Sequence, residues 1–197
     1  MSFPVKKERQ RYTYDDYLSW PEGERWELID GVPYDMTPSP SADHQRILRD
    51  LSTHFSVYLK DRSCEAFFAP FDVRLPQGDE KDEDVPTLVQ PDLIVVCDKS
   101  KLDEKGCRGA PDLIVEVLSP STARKDMKEK RDLYERSGVR EYWLVHPGDR
   151  TISVFLLSVD GIYGKPEVYG DKDEIKVFIL DDLRIDLRTV FPLQTSH

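Results

Sequence analysis

A glutamate stands inside an otherwise apolar run. The run is LIVEVL at 113–118, with Glu116 between Val115 and Val117. Its length and unbroken hydrophobicity predict a strand buried on both faces. A carboxylate held there is costly unless a partner offsets its lost hydration, so something packed around this strand has to pair with it. A second apolar run, DLIVVC at 92–97, opens with Asp92. After the Glu116 strand the sequence predicts a helix from Ser121 to about Ser137. Its apolar stripe is Ala123, Met127 and Tyr134, and Lys130 sits in the middle of that stripe.

The spacing limits which carboxylates can act together. Asp112 and Glu116 lie four apart on one strand, ~13 Å between Cα atoms at strand rise, which is too far for close co-ligation. Asp112 therefore reads as a strand-start residue, a partner for Arg108. Asp92 belongs to a different strand, and if the two strands are neighbours Asp92 and Glu116 converge on one point. Alone, two facing carboxylates repel and one takes up a proton. With Mg²⁺ (or Mn²⁺) between them, both stay ionised and the burial of Glu116 is offset. Lys130 has two readings. One is a snorkelling stem whose ammonium pairs with Asp126. The other is a cation that reaches the metal site and orients a water or stabilises a phosphoryl centre. Glu116, buried one element earlier, favours the second.

The remaining chain reads as one α/β domain over 13–197, a mixed central sheet with flanking helices, preceded by a mobile arm at 1–12. Thr13 caps a short helix at 14–20. Asp30-Gly31 marks a two-residue hairpin, because both positions of that turn need positive φ. Glu27, on its incoming strand, is by pattern alone equally a surface carboxylate or an inward one. A long helix at 42–60 has Ile47, Leu48, Leu51, Phe55 and Leu59 as its apolar face; His44, on its first turn, points either at a site or at water. A strand or strand pair at 64–75 bends at Pro70, and 78–84 is a charged loop. The stretch 140–146 is a third buried run, and strands at 151–159, 161–169 and 175–180 extend the sheet in antiparallel fashion.

Composition narrows the functions. The net charge of -10 over 197 residues argues against broad affinity for a nucleic-acid backbone. The surplus of cations is local: residues 121–140 hold seven Lys or Arg against four Asp or Glu. Arg124, Lys125, Lys128 and Arg131 are the exposed candidates for phosphate contacts. The three cysteines form no CxxC, so neither a disulfide framework nor a zinc site is expected, and the cytoplasm is the default location. No segment approaches membrane-spanning length.

These motifs carry a resemblance. Pro91-Asp92, then Glu116-Val117-Leu118, then a helix with Lys130 and Tyr134, resembles the PD-(D/E)XK nuclease superfamily. ELIDG, PDLIVV, GAPDLIVEVLSPST, the D-x-x-x-K of the helix and GVREYWLV resemble, more closely, the bacterial restriction-endonuclease family of the Uma-two type, over about 14–169. The resemblance implies a restriction-endonuclease-like core, a homodimer, and DNA as substrate. It also implies a metal held by Asp92 and Glu116, joined by Glu27. The superfamily lysine two residues after the acidic position is Leu118 here. The resemblance implies that Lys130 has taken over its role, at a position similar to the Q-x-x-x-Y helix motif of RecB-like nucleases. Metal-dependent endonuclease chemistry is the expected function. The alternative is a non-catalytic nucleic-acid- or protein-binding module on a nuclease-like fold.

Overall fold

The computed structural model describes residues 11–21, 23, 25–36, 40–119 and 125–191, with the side chains of 125 and 126 excepted. The chain opens with helix α1 (Tyr14–Leu18) and a hairpin of β1 (Trp26–Ile29) and β2 (Val32–Asp35). Helix α2 (Ala42–Leu59) follows, then β3 (Glu65–Phe68), β4 (Val73–Arg74), β5 (Leu88–Val89) and β6 (Leu93–Val96). A small hairpin of β7 (Leu102–Asp103) and β8 (Gly106–Arg108) leads into β9 (Leu113–Val117). A π-helical turn, Lys125–Lys130, runs into α3 (Arg131–Ser137), and β10 (Glu141–His146), β11 (Thr151–Leu156) and β12 (Glu167–Gly170) come next. The pair β13 (Glu174–Lys176) and β14 (Arg184–Asp186) follows.

Two six-stranded sheets result, ordered β12-β11-β10-β9-β6-β3 and β2-β1-β5-β4-β8-β7. The first is mixed: β9 and β10 are parallel, and its other pairs are antiparallel. β9 lies inside it and is buried at every position, which is why its sequence is a continuous apolar run rather than an alternating one. One face packs on α2 through Ile47, Leu51 and Phe55 against Leu93, Val115 and Trp143. The other packs on α3 through Leu133 and Tyr134 against Ile94, Ile114 and Leu144. Glu116 follows Ile114 by two and so faces α3. The chain crosses from the second sheet to the first between β5 and β6, a step of only three residues at 90–92.

Several local expectations hold. The Asp30-Gly31 turn has φ of 52° and 76° and joins β1 to β2, as a two-residue hairpin of this hand requires. α2 starts at the Ser41 cap, whose hydroxyl accepts from the His44 N–H. Of the arm, residues 1–10 lie outside the described residues, while the Tyr12 N–H donates to the Gly31 carbonyl at 2.9 Å. Among the described residues no helix is long and apolar enough to cross a membrane.

Others are corrected. The run at 175–180 does not extend the main sheet. A turn at 177–183, closed by the Val177 N–H on the Leu183 carbonyl, folds it into the separate β13–β14 pair. Met127 leaves the predicted helical stripe and is 51% exposed. The reason is the π turn, which places one extra residue in the winding and rotates Met127 outward while Lys130 and Tyr134 stay inside. Ala123 of that stripe lies outside the described residues.

The cysteines also depart from expectation. β3 runs antiparallel to β6 with Glu65 opposite Val96, so one step further Cys64 faces Cys97, and the two form a disulfide. Nothing local in the sequence signals a pairing set by long-range register. Cys107 is the remaining free cysteine; burial pushes its thiol up to about 11, which keeps it protonated and unreactive. Thiol titration in denaturant without reductant is therefore expected to find one thiol per chain, and three would contradict the pairing. Reduction should lower stability by about 2–4 kcal/mol, read as a shift in the denaturant midpoint.

Candidate active site

The two misplaced charges of the sequence meet. Lys130 stands at the junction of the π turn with α3, and its Nζ lies 2.8 Å from Glu116 Oε1 on β9. It also lies 2.8 Å from Glu27 Oε1 on β1 of the other sheet. All three residues are buried, at 0% exposure for Glu27, 2% for Lys130 and 4% for Glu116. Tyr134, one helical turn on, donates its hydroxyl to Glu116 Oε1 at 2.7 Å. Burial, with the carboxylates of Glu116 and Glu27 beside it, holds the Tyr134 phenol well above its usual range. It therefore remains a donor and is not a base at neutral pH. Glu27 is held a second time at the same oxygen, where the Gln90 N–H donates to Oε1 at 3.0 Å. Gln90 lies in the three-residue step between the sheets, so that step ties the second sheet's carboxylate to the first sheet's strands.

Asp92 opens β6 beside Glu116. The β6–β9 register pairs Leu93 with Val115 and Ile94 with Ile114; continued by one residue, it sets Asp92 opposite Glu116, on neighbouring strands as the spacing required. Asp92 Oδ2 accepts from the Val117 N–H at 2.8 Å and lies 3.2 Å from His44 Nε2. Glu27 and Glu116 thus meet on the Lys130 ammonium, while Asp92 is held separately by β9 and α2. Among the described residues no three His, Cys, Asp or Glu side chains are already arranged around one point as a metal would require.

The donor set nonetheless suits a hard divalent cation. Asp92, Glu116 and Glu27 offer only carboxylate oxygens, the ligand type of Mg²⁺ and Mn²⁺. Among the described residues these three carboxylates outnumber the ammonium of Lys130 in a largely buried cluster, and a dication would lower their mutual repulsion.

The other expected residues divide. Asp112 does not pair with Arg108: its Oδ2 accepts from the Cys97 N–H and its Oδ1 lies 3.3 Å from Arg140, because the parallel β9–β10 register brings 140 beside 112. Arg108 instead donates to the Glu80 carbonyl. Lys128 is exposed, as a phosphate contact must be. Arg131 is not freely exposed: it is half-buried, paired with Asp132 and Glu135, and its guanidinium lies over the Phe155 ring. Arg124 and the side chains of Lys125 and Asp126 lie outside the described residues. Gln90 escaped the sequence reading, for it had no local signal. His44, left open between a site and water, is turned inward: it precedes Ile47 by three residues, and so prolongs the buried stripe of α2.

Comparison with known proteins agrees with this frame. The chain is 32% identical over 152 residues to the uncharacterized protein slr1290 of Synechocystis sp., covering 75% of each. The crystal structure of a protein from Anabaena variabilis, titled "a putative nuclease belonging to DUF820", superposes with a TM-score of 0.72 at 21% identity, over 91% of this chain and 97% of that one. At that identity the likeness establishes the fold, a nuclease-like mixed α/β architecture. The model of the Uma2 family, described as "Putative restriction endonuclease", matches residues 14–188, and with nearly the whole described chain inside that match, the protein belongs to the Uma2 family.

Proposed function

We propose that the protein hydrolyses phosphodiester bonds of DNA with a divalent metal, Mg²⁺ or Mn²⁺. In this reading Asp92, Glu116 and Glu27 are the ligands and Lys130 assists the attacking water. The observation that carries it is the convergence of Glu27 and Glu116 on one buried ammonium beside Asp92, in a family of restriction-endonuclease description. The metal, when bound, would polarise the scissile phosphate and lower the cost of ionising a water. The chain's own groups do the rest. Lys130, as an ammonium that donates to two carboxylates, has no lone pair to take a proton; its part is positive charge and orientation where the phosphoryl oxygens gain charge. Tyr134 and the Gln90 N–H hold Glu116 and Glu27 against rotation. Lys128, exposed on the same helical segment, would meet a phosphate of the backbone in this reading. In the reaction, a bond forms from water oxygen to phosphorus, the bond to the leaving sugar oxygen breaks, and that oxygen gains the proton water loses.

The second reading, a binding module without hydrolysis, is favoured by one observation: Lys130 joins Glu27 and Glu116 in a buried ion cluster, as a purely structural role would also require. Incubation with supercoiled, linear and single-stranded DNA separates the two. Cleavage is expected with Mg²⁺ or Mn²⁺, none with EDTA, and none for Asp92→Asn. Wild-type protein inert on all three substrates with either metal would move the weight to the binding module.

A further inference from the structure

His44 lies at the N-terminal end of α2, on the helix's core-facing side, and is 6% exposed. Its ring therefore enters the space between α2 and the end of the sheet rather than solvent. There Nε2 meets Asp92 Oδ2 at 3.2 Å, and the same oxygen accepts the Val117 N–H at 2.8 Å. Two donors from two different elements, a helix and a strand, thus fall on one carboxylate oxygen. That arrangement fixes the rotation of the carboxylate about its last bond, and leaves Oδ1 without a hydrogen bond among the described residues. The other ring nitrogen, Nδ1, is buried with no hydrogen-bond partner among the described residues. A histidine kept only to stabilise the helix–sheet contact gains nothing from an orphaned buried nitrogen, and an apolar side chain of similar size would avoid that cost.

We propose that His44 is a positioning residue for a divalent cation: by holding Asp92 Oδ2 together with the Val117 N–H, it presents Asp92 Oδ1 as the oxygen that ligates. The proposal rests on the metal reading of the site given above. It assigns α2, on the far face of the sheet from α3, a share in the same centre. A donor on the outer oxygen of a ligating carboxylate sets which oxygen and which direction the ion sees, and losing such a donor ordinarily weakens metal binding by about 10–100-fold.

The test compares wild type, His44→Leu and His44→Gln by calorimetric titration with Mn²⁺, alongside thermal unfolding of each without metal. Glutamine reaches from Cα to a donor nitrogen through the same number of bonds as His44 Nε2, whereas leucine fills the space with no donor. The expected result is that His44→Leu binds Mn²⁺ about 10–100-fold more weakly while its unfolding temperature is unchanged or higher. His44→Gln should recover most of the affinity. A purely structural histidine predicts the opposite pattern, with lower unfolding temperature in His44→Leu and unaltered Mn²⁺ affinity. Equal affinity in wild type and His44→Leu overturns the role of His44 alone, as does a His44→Gln variant no tighter than His44→Leu. Absence of Mn²⁺ binding by the wild type overturns the metal reading, and His44's role with it.

Discussion

Replacing Lys130 with Met is expected to slow metal-dependent DNA cleavage by about 100-fold or more, the range for a positioned catalytic group. It should also destabilise the metal-free protein by about 3–5 kcal/mol. The second effect follows from the structure. From the helical stripe alone, methionine reads as a neutral exchange, an unbranched stem of similar volume without the charge. In the fold that charge is the shared partner of Glu27 and Glu116, both buried and both 2.8 Å from it. Removing it leaves two carboxylates facing each other in a poorly solvated place. Urea unfolding monitored by circular dichroism measures the loss, and a second substitution identifies its cause. Lys130→Met combined with Glu116→Gln should be more stable than Lys130→Met alone, because one stranded charge is gone. Non-additivity of that sign is the signature of a buried ion cluster. If Lys130→Met keeps both full stability and full cleavage, the lysine is a bystander.

How much of this was legible beforehand differs residue by residue, for physical reasons. Glu116 was legible because β9 is buried on both faces, so a single charge interrupts a run that has no polar side. Asp92 was legible as the opening of a second such run, but its convergence with Glu116 hung on the two strands being neighbours, which the β6–β9 pairing supplies. Glu27 was not legible from pattern. In a four-residue strand, an alternating rule cannot say which parity faces in, and the fact that decides it, contact across the Gln90 step between two sheets, is far away in sequence. Cys64 and Cys97 were misread for a related reason: strand register over 33 positions of separation leaves no local trace. Met127 was misplaced because a period of 3.6 residues cannot register one π turn, although Lys130, the last residue of that turn, and Tyr134, on α3, kept their phase. His44 was half legible, since its spacing to Ile47 marks burial and says nothing of what the ring would meet.

The largest effect on binding is expected from Glu116→Gln. Glutamine preserves the shape of the side chain and an oxygen for Lys130 and Tyr134, so the fold and its buried hydrogen bonds should survive. What disappears is the negative charge. A ligand that touches the ion matters more than a group one bond removed, whose loss already costs about 10–100-fold, so Mn²⁺ affinity should fall by more than that range and cleavage should become undetectable. The direct measurement is anomalous diffraction from Mn²⁺-soaked crystals of the wild type and of Glu116→Gln. The predicted result is one manganese peak within a coordination distance of roughly 2.0–2.6 Å of both Asp92 and Glu116 in the wild type, and no peak there in the variant. A wild-type map with no manganese at Asp92 and Glu116, or a peak that persists unchanged in Glu116→Gln, would contradict the assignment of this cluster as a metal centre.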